Sequence, residues 1–258
     1  MPAYIQNFIR FRPLLSELIA RDIKIKYRRS VLGVLWTLLN PLMMMIVLSI
    51  VFSNLFKFNV ENFPIYLLSG QVIFNFYSDS TNTAMNSILG SASLIKKVYI
   101  PKYLFVLSRI CSSVINLAAS FSALLLVMTA MRVELHYTIV LAFVPILLLV
   151  TFSLGVGLFL SALVVKFRDV MHLYSVFVTA LMYLTPVIYP MSILPSWMVT
   201  IVKLNPLTNY LTMFRNVMMN HTVFRISDLL IGILEAGIAM FIGLFVFYRN
   251  QDTFILNL

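Results

Sequence analysis

Charge is what this chain has least of: only 11% of its 258 residues are Asp, Glu, Lys or Arg, against roughly a quarter in a soluble domain. Acid is scarcest, with nine carboxylates in all, and they form no convergent motif of the kind that acid–base catalysis needs. A single cysteine, Cys111, excludes a disulfide framework and a thiolate metal site. It sits in an apolar stretch and reads as a small buried hydrophobe. His136, His172 and His221 share neither a helix face nor a ligand spacing. There is no HExxH pattern and no phosphate-cradling loop. Gly33, Gly70, Gly90, Gly155 and Gly157 spell no nucleotide fingerprint, and close helix packing accounts for them. The first 30 residues are basic and amphipathic rather than a cleavable signal peptide, so the first span is expected to act as its own insertion signal. Nothing here supports catalysis, a metal or a bound cofactor.

What remains is apolar. Hydrophobic residues make up 61% of the chain, more than a soluble fold of this size could hide. Several runs reach the ~20 residues that cross a hydrocarbon core. The reading is one all-α integral membrane domain with six crossings, at Val31–Leu55, Ile65–Leu89, Tyr103–Ala130, Thr138–Val165, Val170–Pro190 and Leu229–Tyr248. An amphipathic segment (1–30) precedes them, spans one to five fill 31–190, a broken segment (191–222) follows, and 249–258 is a tail. Fourteen basic residues fall on the side of both termini and five, Lys57 among them, on the other. By the positive-inside rule both termini are then cytoplasmic. The net charge of +10 is explained by topology rather than by nucleic acid.

Residues 191–222 are too apolar for a water-filled loop and too interrupted for a span. Pro195, Lys203, Asn205, Pro206, Asn209 and Arg215 break a pattern in which Trp197, Met198, Ile201 and Val202 recur at helical spacing. Two short, half-inserted helices hinged at Asn205-Pro206 fit, facing outward as a gate; a loop lying on the headgroups is the other reading. In the N-terminal segment, Pro13 suits a first helical position. Leu14, Leu15, Leu18, Ile19 and Ile25 form an apolar stripe, with Glu17 and Arg21 spaced i, i+4 on the other face. Such a helix anchors in the inner headgroups, or also borders a soluble partner.

Span two is the polar one. Asn75, Ser78 or Asp79, Asn82 and Asn86 recur every three or four residues, which stacks them on one face, with Phe74 and Tyr77 alongside. Amides and hydroxyls edged with aromatic rings suit a sugar, which offers hydroxyls and apolar ring faces. A polar helix–helix contact would use the same residues. Asp79 needs a partner within lipid, and Arg109 on the antiparallel third span is the expected one. Glu235 in span six is paired more weakly with Arg215 or Lys203. On the inner side, Ser93 is expected to cap a short helix through Leu94, Ile95, Lys96, Lys97 and Val98. Phe167-Arg168-Asp169 forms a charged knob. Apolar residues among these charges point to docking rather than to topology alone.

Taken together, these pieces resemble a known family. Tyr27-Arg28-Arg29-Ser30-Val31-Leu32-Gly33 with Trp36 and Pro41, Ser69-Gly70, Leu94-Ile95-Lys96-Lys97, Phe167-Arg168-Asp169, Leu194-Pro195-x-Trp197, Asn205-Pro206-Leu207-Thr208 and Arg215 occur in the order seen in one family of transporters. It comprises the membrane subunits of type-2 ABC exporters of cell-surface polysaccharide, meaning O-antigen, capsule and wall teichoic acid. The resemblance implies a homodimer in the bacterial inner membrane, seated on two copies of a separate ATPase subunit that binds ATP and Mg. It implies that 191–222 forms two outward gate helices and that the N-terminal helix flanks the ATPase. Leu94–Tyr99 becomes a coupling helix and Phe167–Asp169 a second contact. The substrate becomes a lipid-linked glycan passing residues such as Phe74 and Tyr77. Exporters of other lipids or drugs share the architecture, and a membrane-embedded glycosyl- or acyltransferase is the rival from another class.

Overall fold

A computed structural model describes residues 3–28, 30–55 and 62–257. Arg29 and Lys57, both used in the charge count, lie outside them. Every regular element among the described residues is helical. The chain begins with α1 (Ala3–Tyr27), which runs through Pro13 instead of starting there. A 3-10 turn at Gly33–Leu35 leads into α2 (Trp36–Leu55). Gly33 has φ +52, a conformation that disfavours any side chain, and its N–H donates to Ser30 Oγ at 3.1 Å. The next helix, α3 (Phe63–Met85), starts with Pro64 in its first turn, where no N–H is needed. Short helices α4 (Ser87–Gly90) and α5 (Ala92–Ile95) lead to α6 (Tyr103–Ala130). After a 3-10 stretch, Tyr137–Ala142, come α7 (Phe143–Lys166) and α8 (Val170–Leu184). The chain closes with α9 (Ser196–Lys203), α10 (Pro206–Met218), α11 (Ile226–Asn250) and α12 (Phe254–Asn257).

Among the described residues, three stretches are long and apolar enough to cross a membrane: Tyr103–Ala130, Tyr137–Lys166 and Ile226–Thr253. Trp36–Phe52 and Val170–Leu184 are shorter apolar helices. At ~1.5 Å per residue α3 is long enough for a ~30 Å core, but its amides, hydroxyls and Asp79 dilute its apolarity. Three expected spans are shorter than the sequence suggested. The first begins at Trp36 rather than Val31, after the 3-10 turn at Gly33–Leu35. The second ends at Met85, because Asn86 (φ −86, ψ 0) breaks α3 from α4. The fifth ends at Leu184, because Pro186 forces Thr185 into extended backbone (φ −103, ψ 132).

Packing is tightest where α7 meets α11. A Cβ on Gly155 would overlap the backbone of Ala239 and Met240, and one on Gly243 the backbone of Gly155. Lipid supplies no hydrophobic drive between helices, so close approach through small residues replaces it. α3 lies centrally against α6, α7 and α10. Its buried Leu67, Leu68 and Ile73 share a core with Tyr210 and Phe214 of α10. At the other end, here called the base, Leu15 and Leu18 of α1, Ile95 of α5, Leu104 of α6 and Phe254 of α12 form a second core. The Lys102 ammonium donates to the Gln251 carbonyl and lies 5.8 Å over the Phe254 ring, fastening α12 there.

Overpacking a close crossing costs about 1–3 kcal/mol. Gly243→Leu should therefore lower the thermal midpoint of the detergent-solubilised protein by several degrees. Gly237→Leu, six residues earlier on α11 with nothing within 4 Å of its added Cβ, should leave the midpoint unchanged.

Candidate functional site

The polar face of α3 opens onto a cavity of about 660 Å³. Thr37 and Asn40 of α2 line it, with Gln71, Asn75 and Asp79 of α3, Ser113, Asn116 and Ser120 of α6, and Lys26 of α1. Trp36 and Phe74 supply aromatic walls. Such a concentration of donors and acceptors between apolar helices is costly unless water or a ligand shares it.

The expected stripe on α3 divides. Phe74 and Asn75 line the cavity. Tyr77 does not: it is buried, stacked on Phe152 of α7 with ring centroids 5.9 Å apart. It offers no platform to a sugar, since its ring lies on a flank of α3 that α7 covers. Beside it the Tyr174 hydroxyl of α8 donates to Thr81 Oγ1 at 2.6 Å. Asn82 and Asn86 turn their amides onto their own helix, donating to the Ser78 carbonyl (2.8 Å) and the Asn82 carbonyl (2.9 Å). Ser78, Asn82 and Asn86 are partly or fully exposed and stand outside the cavity.

The ion pair expected between Asp79 and Arg109 does not form. Helical side chains lean toward the N-terminus of their helix, so Arg109 reaches toward the base, away from Asp79. It meets Asp22 of α1 at 3.1 Å, and Arg21 also donates to that oxygen at 3.1 Å. One turn further along α6, Ser113 and Asn116 donate to Asp79 at 2.9 and 3.3 Å. Lys26 completes that site at 3.6 Å. Both acids thus tie α1 to the bundle. Asp22 went unnoticed in the sequence because the apolar stripe seemed to continue to Ile25; in fact Asp22 is on the buried face with Leu15 and Leu18, and Ile25 is exposed. Their i, i+3, i+7 spacing was the available signal. Glu235 takes neither Arg215 nor Lys203, but the Asn209 amide at 3.2 Å.

The broken segment forms two helices hinged where the sequence placed the hinge. Asn205 Oδ1 caps α10 by accepting the Leu207 N–H at 3.1 Å, its Nδ2 donates to Thr185 Oγ1 at 2.8 Å, and Pro206 opens the helix. Pro195 precedes α9 in extended backbone, and Trp197 on α9 is exposed. Arg215 is a buried rivet. Its Nε donates to Ser69 Oγ (3.2 Å), Nη1 to the Pro186 carbonyl (2.7 Å), and Nη2 to the Tyr66 and Val187 carbonyls (2.9 and 3.0 Å). The guanidinium carbon lies 3.5 Å from the Tyr66 ring centroid. The Ser69-Gly70 pair now has a cause: Ser69 accepts from Arg215, and a Cβ at Gly70 would meet Nη2 at 2.8 Å.

At the base two loops project. Ser93 lies inside α5 rather than capping it; Ser91 precedes the helix. Ile95 is 6% exposed and packed into the core, so it is withheld from any partner, and Leu94 is half-buried. The exposed apolar groups follow instead: Val98 (52%) and Tyr99 (93%), next to exposed Lys96 and Lys97. Phe167, Arg168 and Asp169 are exposed, with the Lys166 ammonium 5.4 Å over the Phe167 ring.

Arg215→Lys keeps the charge but replaces a planar fork of donors by one ammonium. It should destabilise the protein by on the order of 2 kcal/mol, and Gly70→Ala should do similar damage without touching a charge. Thermal unfolding of the detergent-solubilised variants checks both; a midpoint unchanged in either would remove the rivet.

The family model for ABC-2 type transporters matches residues 13–219, from α1 through α10, which takes in the cavity, both base loops and the riveted hairpin. An O-antigen export system permease protein RfbA of Myxococcus xanthus is 30% identical over 219 residues, 84% of each chain. An RfbA of Klebsiella pneumoniae is 25% identical over 245 residues, 93% of each. The polysialic acid transport protein KpsM of Escherichia coli is 21% identical over 245 residues, 94% of this chain and 95% of its own. On the extent of that match and that identity, the chain belongs to the ABC-2 type transporter family of membrane proteins.

Proposed function

We propose that this chain is the membrane subunit of an ATP-driven exporter that moves lipid-linked polysaccharide out of the cytoplasm. The observation that carries the reading is the hydroxyl- and amide-lined cavity inside an apolar bundle, in a chain whose relatives are named for O-antigen export and polysialic acid transport. Drug or lipid exporters share the architecture, but an apolar cargo has no use for the cavity's amides and hydroxyls.

In this reading α2, α3, α6, α7, α8 and α11 are the six crossings of the inner membrane. Both termini and the base are cytoplasmic, and α9–α10 form a re-entrant hairpin at the outer mouth. Two copies pair. The exposed apolar groups of α8, such as Leu173, Val176 and Phe177, and the polar Ser78–Asn82–Asn86 edge of α3 then face the second copy or the passage between copies. ATP and Mg are bound by a separate ATPase subunit, one for each copy. Its closure pushes on the base loops, and α5 and α4 pass the push to α3 across the break at Asn86. The Lys26–Asp79 contact joins α1 to the cavity wall, so movement at the base also reaches the lining. A two-state bundle biased in this way alternates between inward and outward access.

Because Ile95 is buried and Val98 and Tyr99 are exposed, the docking surface in this reading is Val98-Tyr99 rather than Leu94-Ile95. Tyr99→Asp with Val98→Asp should cut glycan export and substrate-stimulated ATPase activity by about tenfold or more, the loss of a docking anchor, while membrane insertion and thermal midpoint stay unchanged. Surface glycan measured in cells that depend on this permease tests it; undiminished export by the double variant would contradict docking at this loop.

A further inference from the structure

The cavity beside α3 leaves one buried amide incompletely hydrogen-bonded. Gln71 lines it, is only 5% exposed, and its Oε1 accepts no hydrogen bond. Buried polar atoms are nearly always partnered. A ligand bringing a hydroxyl or N–H to that amide would supply what the protein leaves out.

The charges on the wall cancel. Lys26 and Asp79 are the charged residues among those lining the cavity, and they meet at 3.6 Å. Asp79 is further held by Ser113 and Asn116. So although the chain carries +10 overall, this cavity presents no free cation among the described residues. A carboxylate or phosphate entering it would approach Asp79 and would have to pull Lys26 away to find a counter-charge. An uncharged ring of hydroxyls would not. Like-charge juxtaposition of this kind is how a site rejects a competitor. Trp36, 44% exposed, lines the same cavity and offers a flat face to ring C–H groups.

We propose that this cavity is a binding subsite for an uncharged, hydroxyl-rich sugar ring, with one hydroxyl donating to Gln71 Oε1 and a ring face on Trp36, and that it discriminates against sugars bearing carboxylates or phosphates. The proposal rests on the reading of the chain as a glycan exporter and narrows the substrate class at the same site.

The chain's two tryptophans make the test direct. Trp197 is on α9 and is not among the residues lining the cavity, so Trp197→Phe leaves Trp36 as the sole indole reporter. The full-length variant in lipid vesicles is titrated with a neutral mannose hexasaccharide and with a hexamer of sialic acid. The neutral sugar should shift Trp36 emission saturably, and the sialic acid hexamer should need at least about tenfold higher concentration. Gln71→Leu should weaken the neutral sugar about tenfold, the effect of one lost buried hydrogen bond. Asp79→Asn, which frees Lys26, should reverse the preference. Equal or tighter binding of the sialic acid hexamer, an unchanged neutral titration in Gln71→Leu, or no emission change with either sugar would each overturn the subsite. Surface glycan export by the unmodified chain, scored separately in cells, separates the two claims. Export that persists alongside a failed titration removes the subsite alone, whereas absent export removes the exporter reading itself.

Discussion

A polar side chain placed among lipid-facing helices must find a partner inside the protein, and that constraint organises this molecule. Span-like apolarity elsewhere leaves α3 as the helix that carries Gln71, Asn75, Asp79 and Asn82 into the bundle. Each is answered differently. Asp79 collects Lys26, Ser113 and Asn116; Asn82 bonds to its own helix; Asn75 faces an open cavity, and Gln71 keeps one oxygen unpartnered there. The cavity is what remains once packing has satisfied the groups it can reach.

The charged groups that are satisfied work as fasteners rather than as ligands. Arg215 ties the start of α3, the turn after α8 and α10 into one unit through carbonyls and a ring face, with no carboxylate involved. A guanidinium can do this because its donors diverge in a plane and its charge is weakly hydrated. Arg109 does the same for α1 through Asp22, whose buried carboxylate would be costly to leave unpaired. The N-terminal helix is thereby held against α6 at the base, where apolar contacts alone would let it slide.

Much of this was open to the sequence and some of it was not. The third span was read to the residue, and the hinge at Asn205-Pro206 carries its own cap and its own proline. Helix breaks inside spans were harder, because Asn86 and Thr185 look like ordinary span residues until the backbone turns there. Partner choice was hardest. Asp79 and Arg109 lie on neighbouring antiparallel helices, yet side-chain lean separates them by about a turn, and Asp22 hid in what looked like a surface helix. Tyr77 and Ile95 failed for a shared reason: a residue beside a polar or charged stripe can still belong to the buried flank. Tyr99, highly exposed, closes the expected coupling segment Leu94–Tyr99, whose apolar weight the sequence put on Leu94 and Ile95.

The central claim is that Asn75 and Tyr77, two residues apart on α3, face opposite worlds: a polar cavity and a dry core. Reaction with a membrane-impermeant charged thiol reagent tests it in a Cys111→Ser background, which removes the native cysteine. Asn75→Cys should react in intact vesicles and be protected by bound glycan, while Tyr77→Cys stays unmodified. An inert cysteine at 75 with a reactive one at 77 would contradict the account.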